Sequence, residues 1–149
     1  MTIYLGADHA GYALKEKLKK FLSELGHKVE DKGAFQYDSE DDYPDFIKPV
    51  AEAVAKDSES RGIVLGGSGQ GEAMVANRVS GVRAAVYYGN NLDIVKLSRE
   101  HNDANILSLG ARFISGDEAK NAVELWLATP FAGGRHKRRI DKIDIHGKT

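Results

Sequence analysis

Residues 66–72 read GGSGQGE, a run of glycines around Ser68 that ends on a carboxylate. Glycine-rich turns that open helices often cradle phosphate, yet both nucleotide fingerprints fail here. A G-x-G-x-x-G motif read from Gly67 and Gly69 meets Glu72 where its third glycine should stand. A G-x-x-x-x-G-K loop read from Gly66 to Gly71 meets the same glutamate where a phosphate-binding lysine belongs. What is left is a row of backbone N–H groups able to hold a small oxyanion, with a carboxylate one step beyond. That pairing suits proton abstraction beside a carbonyl: the base takes a C–H proton while the loop amides hold the enediolate oxygen. A plainer reading fits the same residues, a tight strand-to-helix turn whose Glu72 complements the helix dipole. The chemical reading also carries a condition. Amides near a carboxylate lower its pKa, so burial must raise it again toward working pH.

Three further stretches carry reactive side chains. GADHAG (6–11) offers Asp8 and His9, and Asp8 fits equally as a helix N-cap. REHNDANILSLGARF (99–113) offers His101, Asn102 and Arg112. GGRHKRRIDKID (133–144) puts Arg135, Arg138 and Arg139 on neighbouring turns of one helix face, with Ile140 and Ile143 able to face the core. Arginine forks suit phosphate oxygens, and a solvated basic face explains the same run.

Positioning these groups requires a frame. Short β-rich runs at 2–6, 27–33, 61–67, 82–89 and 104–110 alternate with amphipathic segments at 12–25, 44–56, 72–80, 91–100 and 117–128, and a last helix covers 134–145. In the first helical segment Leu14, Leu18, Phe21, Leu22 and Leu25 form an i, i+4, i+7 stripe, and Gly26 stands where a C′ glycine belongs. Such alternation predicts a five-stranded parallel sheet covered on both faces, a three-layer α/β/α, Rossmann-like domain with right-handed crossovers. GADHAG and GGSGQGE then both sit at the carboxyl ends of strands, the edge where open α/β sheets bind ligands. Arg112, after the fifth strand, shares that edge. His101 precedes the strand and lies at the opposite edge of its own subunit, so any catalytic work it does is expected in a neighbouring subunit's crevice. A helix C-terminal histidine favoured by the dipole is the competing reading. The acidic stretch YDSEDDYP (37–44) reads as a solvated loop with Pro44 starting a helix, His27 and His146 as surface, and Trp126 with Leu125 and Leu127 as core or interface.

Composition narrows the partners. The chain has 149 residues, 42% hydrophobic and 29% charged, a size that suits one domain with a single core. A net charge of −1 gives no reason to expect nucleic acid or an acidic membrane. No cysteine is present, which removes disulfides, thiolate metal sites and a cysteine base. Met1 runs straight into a strand-like stretch, and no window nears about 18 apolar residues, so a cytoplasmic protein without a membrane span is expected.

Taken in order, GADHAG, DYP, GIVLGGSGQGE, MVANRVSGVRA, SREHNDAN, LGAR and GGRHKRRI cover nearly the whole chain and closely resemble the type B ribose-5-phosphate isomerases. The wider superfamily includes isomerases of allose and galactose 6-phosphates. The resemblance implies aldose–ketose interconversion with no metal and no cofactor, by dimers or dimers of dimers whose sites lie at the subunit interface, where the 134–145 helix would also sit. It implies Asp8 at the sugar hydroxyls, His101 as the acid that opens the furanose ring, and Asn102 as a substrate contact. It makes Gly67, Gly69 and Gly71 the anion hole with Ser68 assisting proton handling, and His9, Arg112, Arg135, His136 and Arg139 the phosphate-binding group. Some members carry a cysteine base where this chain has Gly66; others have glycine there and a glutamate at the position of Glu72. This sequence follows the second branch, which makes Glu72 the implied base. A six-carbon sugar-phosphate isomerase and a non-catalytic sugar-phosphate-binding module stay open as alternatives.

Overall fold

The computed structural model describes residues 1–146, with side chains described through residue 144, so the surface position expected of His146 falls on a side chain outside the described residues. The elements run β1 (Thr2–Ala7), α1 (His9–Glu24), β2 (Lys28–Asp31), α2 (Pro44–Ala55), β3 (Arg61–Gly66), α3 (Gln70–Ala76), β4 (Ala84–Tyr87), α4 (Asp93–Glu100), β5 (Ile106–Gly110), α5 (Gly116–Ala128) and α6 (Arg135–His146). The sheet is parallel throughout, in the order β2-β1-β3-β5-β4. The expected five-stranded α/β/α sandwich is therefore what the chain forms.

Two apolar layers follow from the period-two alternation of side chains along the central strands. Ile3, Leu5, Ile63, Leu65, Leu107 and Leu109 face one layer, against Leu14, Leu18 and Leu22 of α1, Val95 of α4 and Val123 and Trp126 of α5. Val64 and Ile106 face the other, against Ile47, Val50 and Val54 of α2 and Ala76 of α3. Trp126 is fully buried, as core. His27 is half-buried rather than on the open surface, and that burial lowers its pKa.

Helix α1 starts at His9, earlier than its apolar stripe, because Asp8 caps it: Oδ1 accepts from the N–H of Ala10 at 3.0 Å and of Gly11 at 3.3 Å. A cap of this kind contributes about 1 kcal/mol. Gly11 lets the first turn lie on β3, since a Cβ there would come within 2.6 Å of the Leu65 Cβ. The helix closes as its sequence requires, with Gly26 at φ 90°. Pro44 is the first residue of α2.

Around the edge strand β4 the elements are shorter than the β-rich and amphipathic patterns suggested. Before β4, the Arg83 N–H is held by Asn105 Oδ1 at 2.7 Å rather than by a ladder bond. After it, Gly89 and Asn90 turn the chain at φ 108° and 80°. Helix α3 stops at Ala76 because Asn77 leaves the helix to clamp β4, accepting from the Ala84 N–H at 2.8 Å and donating to the Ala84 carbonyl at 3.1 Å. Helix α6 joins neither core layer. Ile140 is half-buried and Ile143 is 49% exposed, so the core-facing role expected of them is not filled within one chain. Among the described residues no helix is long and apolar enough to cross a membrane.

Candidate active site

At the carboxyl edge of the sheet, β1 and β3 deliver their following residues side by side, because the two strands are paired. The β3–α3 turn holds Gly67, Ser68 and Gly69, with Gly69 at φ 81°, a left-handed conformation that glycine adopts without a steric penalty. Ser108 in β5 fixes the turn from below by donating its hydroxyl proton to the Gly69 carbonyl. Among the described residues the N–H groups of Gly67, Ser68 and Gly69 have no acceptor, which leaves them available for an anionic atom. The Ser68 hydroxyl accepts from the Gln70 N–H at 3.3 Å and so also stiffens the turn.

Glu72 lies in the first turn of α3, 4% exposed. Its carboxylate occupies the space a side chain at position 66 would take: a Cβ built on Gly66 would fall inside it. The two branches implied by the resemblance thus exclude one another sterically, one base per site from either position. Burial raises the Glu72 pKa, its own backbone N–H pulls the other way, and the nearby Asp8 adds to the rise. Desolvation wins over the amides, so the condition set by a general base near a helix start is met in direction. With Tyr43, Gly67, Ser68, Gly71, Arg112 and Phe113, Glu72 lines a crevice of about 450 Å³. A larger concavity of about 610 Å³ lies against β4 and is lined mainly by Met74, Asn77, Val86 and Tyr88; it holds no carboxylate or histidine, whereas the smaller one holds Glu72.

Asp8 and Arg112 complete this edge. Asp8 is 7% exposed; Oδ1 serves the cap, and Oδ2 makes no hydrogen bond to a described residue. The N-cap and site readings of Asp8 are compatible, one per oxygen. Arg112 is exposed and lies over Gly67, its Nη1 3.2 Å from where a Cβ on that glycine would sit. His9 is close enough for Arg112 to oppose its protonation, yet its pKa is raised, chiefly by a hydrogen bond to Asp41 and also by the charge of Asp8. The His9 Nδ1 is 2.7 Å from Asp41 Oδ1, and the same oxygen accepts the His9 backbone N–H at 3.1 Å.

Asp8, His9 and Asp41 each offer a ligand-type atom, all within 4.8 Å of one another. Within the group, Asp8 Oδ1 serves the helix cap and Asp41 Oδ1 pairs with His9 Nδ1.

The other expected residues gather elsewhere. His101 is the C-cap of α4, ahead of β5, and its ring stacks on His136 with centroids 4.3 Å apart and planes 15° from parallel. The segment before α6 is tied to the same helix end by the Ala132 N–H to Glu100 carbonyl bond at 3.0 Å. Asn102 lines a neighbouring crevice with Val82, Arg83 and Ile143. Burial lowers the His136 pKa, and the proximity of His101, Arg135 and Arg139 lowers it further. Arg135, Arg138 and Arg139 make no ion pair among the described residues, where Lys137–Asp141 is the pair recorded on α6. This group stands at the amino end of β5, whose five residues span about 16 Å at ~3.3 Å each, while Glu72 and Arg112 stand at its carboxyl end. One chain therefore does not bring Arg135, His136 and Arg139 together with His9 and Arg112.

Two residues escaped the sequence reading. Asp41 and Tyr43 belong to the acidic loop expected to be solvated, yet the Asp41 side chain is 7% exposed and the Tyr43 ring packs within 2.8 Å of where a Cβ on Gly71 would be. The available signal was strand adjacency: β2 pairs with β1, so the loop after β2 must drape over the same edge as GADHAG.

Comparison with known proteins identifies the family and the fold. Residues 3–143 match the model of the Ribose/Galactose Isomerase family. The chain is 43% identical over 150 residues to ribose-5-phosphate isomerase B of Mycobacterium tuberculosis, covering 100% of this chain and 91% of that one. It superposes on ribose-5-phosphate isomerase B of Clostridium thermocellum with a TM-score of 0.92 and 47% identity, each chain 99% covered. The Mycoplasma genitalium enzyme with bound ribulose-5-phosphate gives a TM-score of 0.94 at 39% identity, covering 99% of this chain and 97% of that one. Matching the family model over residues 3–143 and sharing the fold over 99% of its length, this chain belongs to the ribose/galactose isomerase family.

Proposed function

We propose that this chain, as one isomerase domain over residues 1–149, interconverts D-ribose 5-phosphate and D-ribulose 5-phosphate through a cis-enediolate. The observation that carries the reading is the buried Glu72 carboxylate, its pKa raised by desolvation, lining one crevice with the glycine turn and Arg112. Similarity to a solved enzyme holding ribulose-5-phosphate supports the choice of substrate.

In the open-chain aldose, the Glu72 carboxylate takes the C2 proton. The C–H electron pair forms the C1–C2 double bond, and the carbonyl π electrons move onto O1, where the amides of Gly67, Ser68 and Gly69 hold the charge together with Gly71 in the next turn. Glu72, now a carboxylic acid, returns its proton to C1 while the O2 hydroxyl gives up its own and becomes the ketone. Ser68 relays protons between O1 and O2, and Asp8 Oδ2 accepts a sugar hydroxyl. His101 protonates the ring oxygen as the C1–ring-oxygen bond breaks and the C1 hydroxyl gives its proton to water, which opens the furanose to the aldehyde, and Asn102 binds beside it. His9 and Arg112 take the phosphate from one side, Arg135, His136 and Arg139 from the other. Base and acid are side chains, so no cofactor is called for.

Because the two groups stand at opposite ends of β5 in one chain, the working site draws them from two subunits, as a cytoplasmic homodimer or dimer of dimers. Apolar surface beside the edge strand β4 suits such an interface: Met74, Tyr88, Ile94 and Leu97 are all exposed there. A coupled assay with ribose 5-phosphate, allose 6-phosphate and galactose 6-phosphate, run in D2O, tests the reading. Fastest turnover of ribose 5-phosphate is expected, with solvent deuterium at carbon in those turnovers in which the protonated Glu72 exchanges with solvent before it reprotonates the enediolate. Preference for a six-carbon substrate would move the specificity, and binding with neither turnover nor deuterium uptake would make the chain a sugar-phosphate-binding module.

A further inference from the structure

His9 and Asp41 meet through two hydrogen bonds to one oxygen, in addition to the cap that Asp8 places on α1. The second Asp41 oxygen, Oδ2, is buried with no partner in the described chain. Burying a carboxylate with one oxygen unsatisfied is costly unless its charge is used locally. An imidazole nitrogen 2.7 Å from a carboxylate oxygen carries the proton, because two facing lone pairs would repel. The state of the other nitrogen is then settled by charge alone. In neutral His9, Nε2 is a bare lone pair that repels an anion; in the cation it is an N–H that can donate to one. The charged groups facing the ring are Asp41 and Asp8, which favour the cation, and Arg112, which opposes it; the Tyr37 ring meets the imidazole edge to face at 6.1 Å.

We infer that Asp41 is a positioning residue for anion recognition: it locks the His9 ring with Nδ1–H turned to its carboxylate, so that Nε2–H is presented beside Arg112 to the phosphate of the sugar phosphate. This rests on the proposed phosphate contact of His9. Arg112 alone supplies charge without a fixed direction, since it is exposed, whereas the His9–Asp41 pair supplies a donor whose ring cannot flip. The pair also sets a pH window. A phosphate monoester is a dianion above about pH 6, and the raised His9 pKa keeps Nε2–H in place above the ordinary 6.5. As pH climbs through the His9 pKa the donor is lost, so KM rises on the alkaline side while kcat, which depends on Glu72, does not follow.

The test is an NMR titration of His9 in the native enzyme and in Asp41→Asn, together with KM and kcat for ribose 5-phosphate from pH 6.5 to 9. The asparagine carbonyl can still accept from Nδ1–H but lacks the charge. The His9 pKa is expected to fall in the variant, and the alkaline rise in KM to move to lower pH by the same interval with kcat at saturation little changed. An unchanged His9 pKa overturns the role of Asp41 and leaves the phosphate contact standing. A lowered pKa with an unmoved KM profile overturns the phosphate contact instead. A loss that is uniform across pH would assign Asp41 a merely structural part and overturn the inference. The native enzyme alone provides a check that needs no variant: nitrogen-15 shifts of neutral His9 are expected to show the Nδ1–H tautomer, and an Nε2–H tautomer contradicts the inference.

Discussion

At the carboxyl edge of the sheet Glu72 and Asp8 are buried, the glycine turn is pinned by Ser108, and His9 is held by Asp41. At the amino edge His101, Asn102, Arg135 and Arg139 are exposed at the end of α4 and on α6, and the arginines have no acid partner among the described residues. The first edge has the proposed base and anion hole in preorganised backbone; the second has the proposed acid and arginines that, among the described residues, have nothing to act on. Each lacks what the other carries. The difference teaches where the energy of organisation sits: desolvation within a chain tunes Glu72, whereas the amino-edge cluster acquires a defined environment only against something else. In the proposed dimer a second copy of this chain would supply both the missing surface and the missing residues.

The sharpest way to break the comparison is to silence the buried edge. Glu72→Gln is expected to retain sugar-phosphate binding while kcat falls by about 10²- to 10⁴-fold, the usual loss for a general base; near-normal turnover removes Glu72 from the mechanism. The same variant separates chemistry from stability. Burial raises the Glu72 pKa, so the folded chain holds that proton more tightly than the unfolded chain does. Ionised Glu72 therefore subtracts stability above its raised pKa, and the deficit vanishes as pH falls through it. Glutamine should raise Tm at pH 8 and leave it nearly unchanged at pH 4, and native kcat should fall as acid protonates the base.

A smaller effect is expected at the exposed edge. Arg135→Ala and Arg139→Ala should each raise KM for ribose 5-phosphate roughly tenfold, the scale of one charge-assisted hydrogen bond, with kcat less affected. Neither should change Tm much, since these side chains join no core layer. Unchanged KM in both would detach the amino-edge arginines from the phosphate.

Much of this was legible in the residues because it depends on local pattern. The alternation of β-rich and amphipathic runs gave the sandwich, and the position of GGSGQGE after a strand gave the carboxyl-edge crevice. The opposed positions of His101 and Arg112 followed from strand direction alone. What stayed hidden depends on packing between segments distant in sequence. Asp41 looks like one acid in a solvated run, and only the pairing of β2 with β1 brings it onto His9, 32 residues away. The ambiguity of Glu72 between dipole partner and base is a matter of burial, which no spacing states; its 4% exposure and its place beside Gly66 support the base reading that is proposed. Helix α6 misled for the same reason, since Ile140 and Ile143 read as core while the core is already complete without them.

The central claim, that one working site joins Glu72 of one subunit to His101 of another, is tested most directly by mixing inactive Glu72→Gln with inactive His101→Asn after controlled dissociation and reassociation. In each hybrid dimer one site receives both intact residues, so a random equal mixture should regain roughly one active site in four. Persistently dead mixtures, with hybrid dimers demonstrated by native mass spectrometry, would contradict the claim and confine the chemistry to a single chain.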